Sequence, residues 1–278
     1  MPERFAYWAA ESLGGVAARR SRKRGQVERN MARASGLSLG SPELDRVVTA
    51  AYRSYARYWL ETFRLVRETR TFFIARFTCH GAERIDAVLA RGKGSIVVVG
   101  HLGNWDAAGA WAGATGRAVT TVAEVLRPRR LFDFFAAHRA TLGITIHPAE
   151  PGVTAALVRA VEDGRVVAIL GDRDLGGRGP EVELFGEKVT LPAGPASIAL
   201  RTGVPLLVAG VYGTVLPGGK RGWEAFVSEP IELPDRPGPH SIRDLTQRLA
   251  VELERAIARR PEEWHMFQPL WSADRSSR

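Results

Sequence analysis

Six residues in an unbroken row, Ser95-Ile96-Val97-Val98-Val99-Gly100, constrain this chain more than any other segment. A β-branched run without polar alternation has no solvent face. It predicts a strand covered on both sides, the condition met in parallel sheets. Similar runs lie at Ala118 to Val122, Ile144 to His147, Val166 to Leu170 and Pro205 to Tyr212. Stretches with helical spacing separate them near Asp106 to Ala114, Arg129 to Leu142 and Val153 to Asp163. This alternation predicts βαβ units, hence an α/β fold with a mostly parallel central sheet flanked by helices. Gly176 to Pro192 reads as a loop containing a hairpin, and Ser241 to Arg259 as a final helix.

The first 76 residues read differently. Phe5, Trp8, Ala9, Ser12, Leu13 and Val16 recur at helical spacing, and Arg19-Arg20-Ser21-Arg22-Lys23-Arg24 follows. Such a helix can lie in a lipid interface with its arginines at the headgroups, or pack on its own domain with a solvated charge run behind it. Both readings stay open on the residues alone. Ser41-Pro42-Glu43-Leu44 has the form of a helix start, and the helix is expected to run to about Phe73. We therefore expect an N-terminal helical, membrane-facing extension over 1–76 and an α/β domain over 77–278.

Composition narrows the partners. The chain of 278 residues carries a formal net charge of +9, and 35 of its 39 basic residues are arginine, which favours anionic partners gripped by guanidinium forks. Residues 1–33 hold eight Lys or Arg against three acids, so much of the excess sits at one end. Cys79 is the single cysteine, which excludes an intramolecular disulfide and a cysteine-based metal cluster. His138, His147 and His265 have no carboxylate at metal-ligand spacing, so no metal is expected. The absence of an eighteen-residue apolar run or a signal-like start leads us to expect neither a spanning segment nor export. No nucleic-acid-binding motif is present, and nucleic acid is not an expected partner.

His101 comes directly after the Ser95 to Gly100 run, at the strand end where open α/β sheets bind ligands, and Asp106 opens the next helix. Five residues along a continuous helix would turn the two side chains about 140° apart. A tight bend through Leu102-Gly103-Asn104 would instead let the Asp106 carboxylate reach one imidazole nitrogen, leaving the other as a general base. No nucleophilic Ser or Cys stands in the segment, so such a pair would activate a hydroxyl brought by the substrate. A bare His-x4-Asp spacing is also compatible with a purely structural hydrogen bond.

The wider pattern favours chemistry. Gly100-His101-Leu102-Gly103-Asn104-Trp105-Asp106 resembles the His-x4-Asp/Glu signature of the lysophospholipid acyltransferase superfamily. The form with Gly-Asn-Trp is that of bacterial late lipid A acyltransferases and actinobacterial phosphatidylinositol mannoside acyltransferases. Thr121 to Pro128, Arg139 with Leu142-Gly143, Gly171-Asp172-Arg173-Asp174-Leu175, Phe185-Gly186-Glu187, Leu191 to Ala196 and Glu263 to Gln268 follow in the order of the mannoside enzymes. The resemblance implies that His101 is the base and Asp106 its orienting partner, while Glu124, Arg139 and Asp172 hold the acceptor headgroup. Asn104, Arg173 and Asp174 are candidates to orient the site, and Arg173 and Asp174, at the end of a predicted strand, could equally serve only to lock the loop. Asp172 stands where glutamate is expected from the family.

The resemblance further implies acyl-CoA as donor, no additional cofactor, and a glycolipid acceptor, foremost a phosphatidylinositol mannoside. It also implies a peripheral position on the anionic cytoplasmic face of the plasma membrane. A lysophospholipid or lipid A-type acceptor is the alternative within the same chemistry. A non-catalytic basic protein that binds membrane or nucleic acid is the alternative outside it.

Overall fold

The Ser95–Val99 run is the middle strand of a seven-stranded sheet in the computed structural model, which describes residues 3–174 and 176–275. Four helices precede the sheet: α1 (Glu3–Arg20), α2 (Arg24–Ser35), α3 (Pro42–Leu65) and α4 (Arg70–Arg76). Ser41 caps α3 as expected, its hydroxyl accepting from the Leu44 amide at 3.2 Å, with Pro42 in the first turn where its missing N–H is not needed. The helix does not continue to Phe73. It ends at Leu65, and the Thr69 hydroxyl caps α4 by accepting from the Phe72 amide, giving the backbone an alternative to helix continuation. α1 lies tight against α3, where a Cβ on Gly14 would stand 2.7 Å from the Tyr52 carbonyl oxygen.

The α/β part then runs β1 (Phe77–His80), α5 (Ala82–Leu89), β2 (Ser95–Val99), α6 (Trp105–Ala114), β3 (Val119–Ala123), α7 (Arg129–Ala140), β4 (Ile144–Pro148), α8 (Val153–Glu162) and β5 (Val166–Leu170). The expected hairpin is β6 (Glu181–Leu184) with β7 (Glu187–Thr190). α9 (Gly194–Thr202), β8 (Leu206–Leu216), β9 (Lys220–Val227), α10 (Ser241–Arg259) and α11 (Ser272–Arg275) complete it. The strand order is β1-β9-β8-β2-β5-β3-β4, parallel throughout except for the β8/β9 pair. β1 and β9 escape a reading by apolar runs because polar residues break both, Thr78 and His80 in one and Lys220, Arg221 and Glu224 in the other.

Alternation along the strands feeds two cores. Ile96, Val98, Leu206 and Val208 pack with Leu157 of α8, Ile198 of α9 and Leu249 and Leu253 of α10. Val119, Ile144, Val211 and Ala225 pack with Phe73 of α4 and Ala107 and Ala110 of α6. Val27, Met31, Leu44 and Val48 of the N-terminal helices belong to the first of these cores, so burial ties them to the sheet. Among the described residues no helix is long and apolar enough to cross a membrane.

Candidate active site

The loop after β2 is held from the far end of the chain. The His265 amide donates to the His101 carbonyl at 2.7 Å, and the Gly103 amide donates to the Glu263 carbonyl at 2.9 Å, so residues 263–265 lie as an antiparallel brace along the motif. Gly103 has φ 59°, and a Cβ there would stand 2.2 Å from the Val211 carbonyl oxygen; only glycine fits this bend. Asn104 is buried. Its Oδ1 caps α6 by accepting from the Ala107 amide at 3.0 Å, and its Nδ2 donates to Glu61 Oε2 at 2.8 Å. Glu61 also accepts from Trp223 Nε1 at 2.9 Å. Burial raises its carboxyl above the usual range, and Arg57 with these two donors offsets part of that rise.

The bend expected through Leu102-Gly103-Asn104 is present, but it does not bring Asp106 to His101. Asp106 is buried, with Oδ1 accepting from Arg139 Nε at 2.6 Å and Oδ2 accepting from Arg139 at 3.3 Å and from Tyr58 Oη at 3.2 Å. Helix geometry turns the first residues of α6 towards α3 and α7, and a buried guanidinium claims the carboxylate. The orienting partner of His101 is Asp172: Nδ1 lies 2.7 Å from Oδ1, and the His101 amide donates to Oδ2 at 2.8 Å. Register explains the meeting. Val99 pairs with Leu170 across β2 and β5, so each of these residues stands two positions beyond a matched pair on parallel neighbours.

Asp172 is fully buried, and Oδ2 also accepts from Trp264 Nε1 at 2.8 Å. Burial alone would raise its carboxyl. The His101 imidazole, the indole N–H and the His101 amide more than offset this and hold it below the usual carboxylate range. An ionised carboxylate can only accept, so Nδ1 carries the proton and the Nε2 lone pair is free to act as a base. Asp172 therefore does not reach the acceptor as expected, since both its oxygens are engaged inside the protein.

His101, Glu124, Arg139, Arg173 and Asp174 line a cavity of about 430 Å³ whose other walls are mainly apolar, among them Val97, Val99, Ala108, Trp111, Ala168, Val211 and Ala225. Arg139 lines the cavity with Nε and one Nη committed to Asp106. Its partner raises its pKa against the lowering effect of burial. Glu124 is half exposed and accepts from Arg173 at 3.0 Å, while Arg173 also donates to Gln268 at 2.9 Å. Asp174 accepts from the Gly176 and Gly179 amides at 3.0 and 2.7 Å and so shapes the loop above the cavity. Leu175 lies outside the described residues. No group of three His, Cys, Asp or Glu side chains among the described residues converges as a metal site requires.

The family described as bacterial lipid A biosynthesis acyltransferase matches residues 1–273. The chain belongs to this family. It is an acyltransferase. A phosphatidylinositol mannoside acyltransferase of Mycobacterium tuberculosis (strain CDC 1551 / Oshkosh) is 34% identical over 256 residues, which is 90% of this chain and 78% of that protein. The protein of the same description from Mycolicibacterium smegmatis is 33% identical over 285 residues, 99% of this chain and 88% of its own length. A solved structure, the 1-acyl-sn-glycerophosphate acyltransferase PlsC of Thermotoga maritima, aligns with 90% of this chain and 97% of its own at 13% identity and a TM-score of 0.40.

Sequence reasoning did not assign roles to Trp264, Glu61 or Tyr58 in this acyltransferase. Each acts across a long chain separation, 92 residues from Trp264 to Asp172 and 48 from Tyr58 to Asp106. The one local signal was an aromatic segment, Trp264-His265-Met266-Phe267, directly after the last long helix.

Proposed function

We propose that this acyltransferase moves a fatty acyl group from acyl-CoA to a hydroxyl of a glycolipid, foremost a mannosylated phosphatidylinositol, by direct transfer with His101 as base. The observation that carries the reading is the His101–Asp172 pair at the polar end of an otherwise apolar cavity. An apolar channel suits an alkyl chain, whose thioester carbonyl then lies near the imidazole. His101 Nε2 takes the proton of the acceptor hydroxyl as its oxygen attacks the thioester carbon. The tetrahedral intermediate collapses, the C–S bond breaks, and the imidazolium returns the proton to the departing thiolate. Asp172 holds the Nδ1–H tautomer and stabilises the imidazolium between the two transfers. No metal or further cofactor enters this sequence, because the substrate hydroxyl is the nucleophile.

Glu124 and Arg173, at the mouth, would receive the headgroup, the carboxylate accepting from sugar hydroxyls and the guanidinium meeting a phosphate. The names of the mycobacterial relatives support a mannosylated acceptor. For location we propose the cytoplasmic face of the plasma membrane. The outward face of α1 presents Phe5, Trp8, Leu13 and Val16, and Arg19, Arg20, Arg22 and Lys23 follow at its end to meet anionic headgroups.

The test is incubation of purified protein with palmitoyl-CoA and each of three acceptors: a phosphatidylinositol mannoside, a lysophospholipid and a lipid A precursor. Products are read by mass spectrometry. An ester formed on the mannoside, lost in His101→Ala, is the expected result. Transfer to a different acceptor only would replace the mannoside assignment, and no thioester turnover with any acceptor would overturn the catalytic reading.

A further inference from the structure

On the flank of α3 opposite α1, a second group of large apolar side chains stands in solvent. Phe63 is 50% exposed, Phe134 52% and Leu131 40%. They do not stand singly. Trp59 and Phe63 lie 6.0 Å apart by ring centroids, Trp59 and Phe135 5.9 Å, Phe63 and His138 6.1 Å, and Phe134 and His138 6.0 Å. His138 fixes the assembly by donating from Nε2 to the Thr62 carbonyl at 2.7 Å, which locks α7 onto α3. The result is a continuous aromatic ridge built from two helices, too extended to be the scattered apolar exposure normal for a protein surface.

Its α7 side carries arginine. Arg130, Phe134 and His138 recur every fourth residue on α7, with Leu131 beside them, and the exposed Asp133 of the same helix lies 3.5 Å from Arg129. Aromatic rings bordered by arginine are the composition that seats at an anionic bilayer surface, rings at the acyl boundary and guanidinium groups among the headgroups. The ridge is also continuous with the lipid-facing side proposed for α1. α1 packs along the flank of α3 that carries Arg53 and Arg57, α7 along the flank that carries Trp59 and Thr62, and the half-buried Ala56 and Leu60 lie on the α3 surface between them. Finally, the ridge adjoins the reaction cavity. Arg139, next in sequence to His138, turns inward to Asp106 and lines the cavity.

We propose that Phe63, Leu131 and Phe134 form a second membrane contact on the α3/α7 flank of the active site, seated in an anionic lipid leaflet. The acceptor lipid then passes from that leaflet to His101 beside α7 without crossing water. This rests on the lipid-acyltransferase reading above for the second step only; the contact itself does not. The ridge fixes which flank of the protein faces the bilayer, whereas α1 alone would tether the protein in any rotation about its axis.

The experiment uses the full chain and the double variant Phe63→Ser/Phe134→Ser, whose exposed positions leave the core untouched. Sedimentation with sucrose-loaded phosphatidylglycerol/phosphatidylcholine vesicles should show partitioning reduced about tenfold or more, since a single buried aromatic ring is worth a factor of that order. Transfer to a vesicle-embedded acceptor should fall at least in proportion. Hydrolysis of a soluble short-chain acyl thioester should stay at the parental rate. Unchanged sedimentation overturns the proposal. So does a parental dimer in light scattering that the double variant converts to monomer with vesicle binding intact, because the ridge is then an interface between copies. Lost binding with full transfer from vesicles overturns the route for the acceptor. Lost binding in a protein whose parent turns over no thioester leaves the contact standing and removes the enzymatic reading instead.

Discussion

His101 and Asp172 stand side by side because each lies two residues past a matched pair on neighbouring parallel strands, and the imidazole Nδ1 is 2.7 Å from the carboxylate. Asp172→Asn keeps the shape but offers the imidazole no charge and permits the wrong tautomer. We expect kcat to fall by about 10²- to 10⁴-fold with the fold retained. Asp106→Asn acts on a different property. It leaves the partly buried Arg139 guanidinium without its counter-charge, and we expect roughly 2–3 kcal/mol of lost stability, below the full penalty of a buried pair, with turnover per folded molecule nearer the parent's than that of Asp172→Asn. Steady-state kinetics beside denaturant melts rank the two, and the reverse ranking would return the orienting role to Asp106.

Trp264 does not line the cavity, yet its indole N–H is one of the donors that hold the Asp172 carboxyl below the usual range. Trp264→Phe keeps the ring and removes that donor. A carboxylate with one fewer hydrogen bond takes a proton at higher pH, so the acidic limb of kcat/KM should move to higher pH. A filler of space alone would leave the pH profile in place, and an unmoved limb excludes the positioning role.

Acid sensitivity of the fold should trace to His265. Burial and the nearby Arg57 guanidinium push it down to about 3. Its folded pKa is thus below its unfolded value, the folded state binds fewer protons, and the associated stability is complete above about pH 6.5 and lost as pH falls towards 3. The slope from this one group approaches about 1.4 kcal/mol per pH unit. Asp172, held below the usual carboxylate range, acts in the same direction at the lower end. His265→Gln cannot take up the proton, so its unfolding free energy should vary less with pH between about 6 and 4 than the parent's. Parallel pH curves for the two proteins would refute the assignment.

Glu124 was expected at the headgroup, and we add Arg173, its partner at 3.0 Å, which was expected only to orient the site. Glu124→Ala and Arg173→Ala should raise the apparent KM for a glycolipid acceptor or lower kcat/KM, while slow acyl-CoA hydrolysis without acceptor continues. His101→Ala should lose both reactions. If the two alanine variants lose hydrolysis in step with transfer while remaining folded, they serve the donor or the chemistry.

The parts of this protein that could be read from sequence are those whose cause is local. Ser95–Val99 announces its burial by composition, Ser41 and Pro42 announce a helix start, and Ser241 to Arg259 is a helix over the expected residues. The pairing of His101 was misread for the opposite reason. Asp106 is five residues away and Asp172 seventy-one, and proximity along the chain carried weight that belonged to strand adjacency. Both strands were visible; their being neighbours was not, since β3 and β4 lie between them in sequence and beyond β5 in space. Arg139 lines the cavity, but its pairing with Asp106 depends on how α7 leans on α3.

The antiparallel brace of residues 263–265 along His101 to Gly103 also has a temporal meaning. A nascent chain has made the imidazole by residue 101 and its carboxylate partner by residue 172, but the segment that fixes the one and the indole that steadies the other come only with residues 263–265. Synthesis from the N-terminus therefore emits α1, with its outward aromatic face, long before the His101–Asp172 pair has its full set of contacts. A chain arrested short of residue 263 would present that face without a completed site.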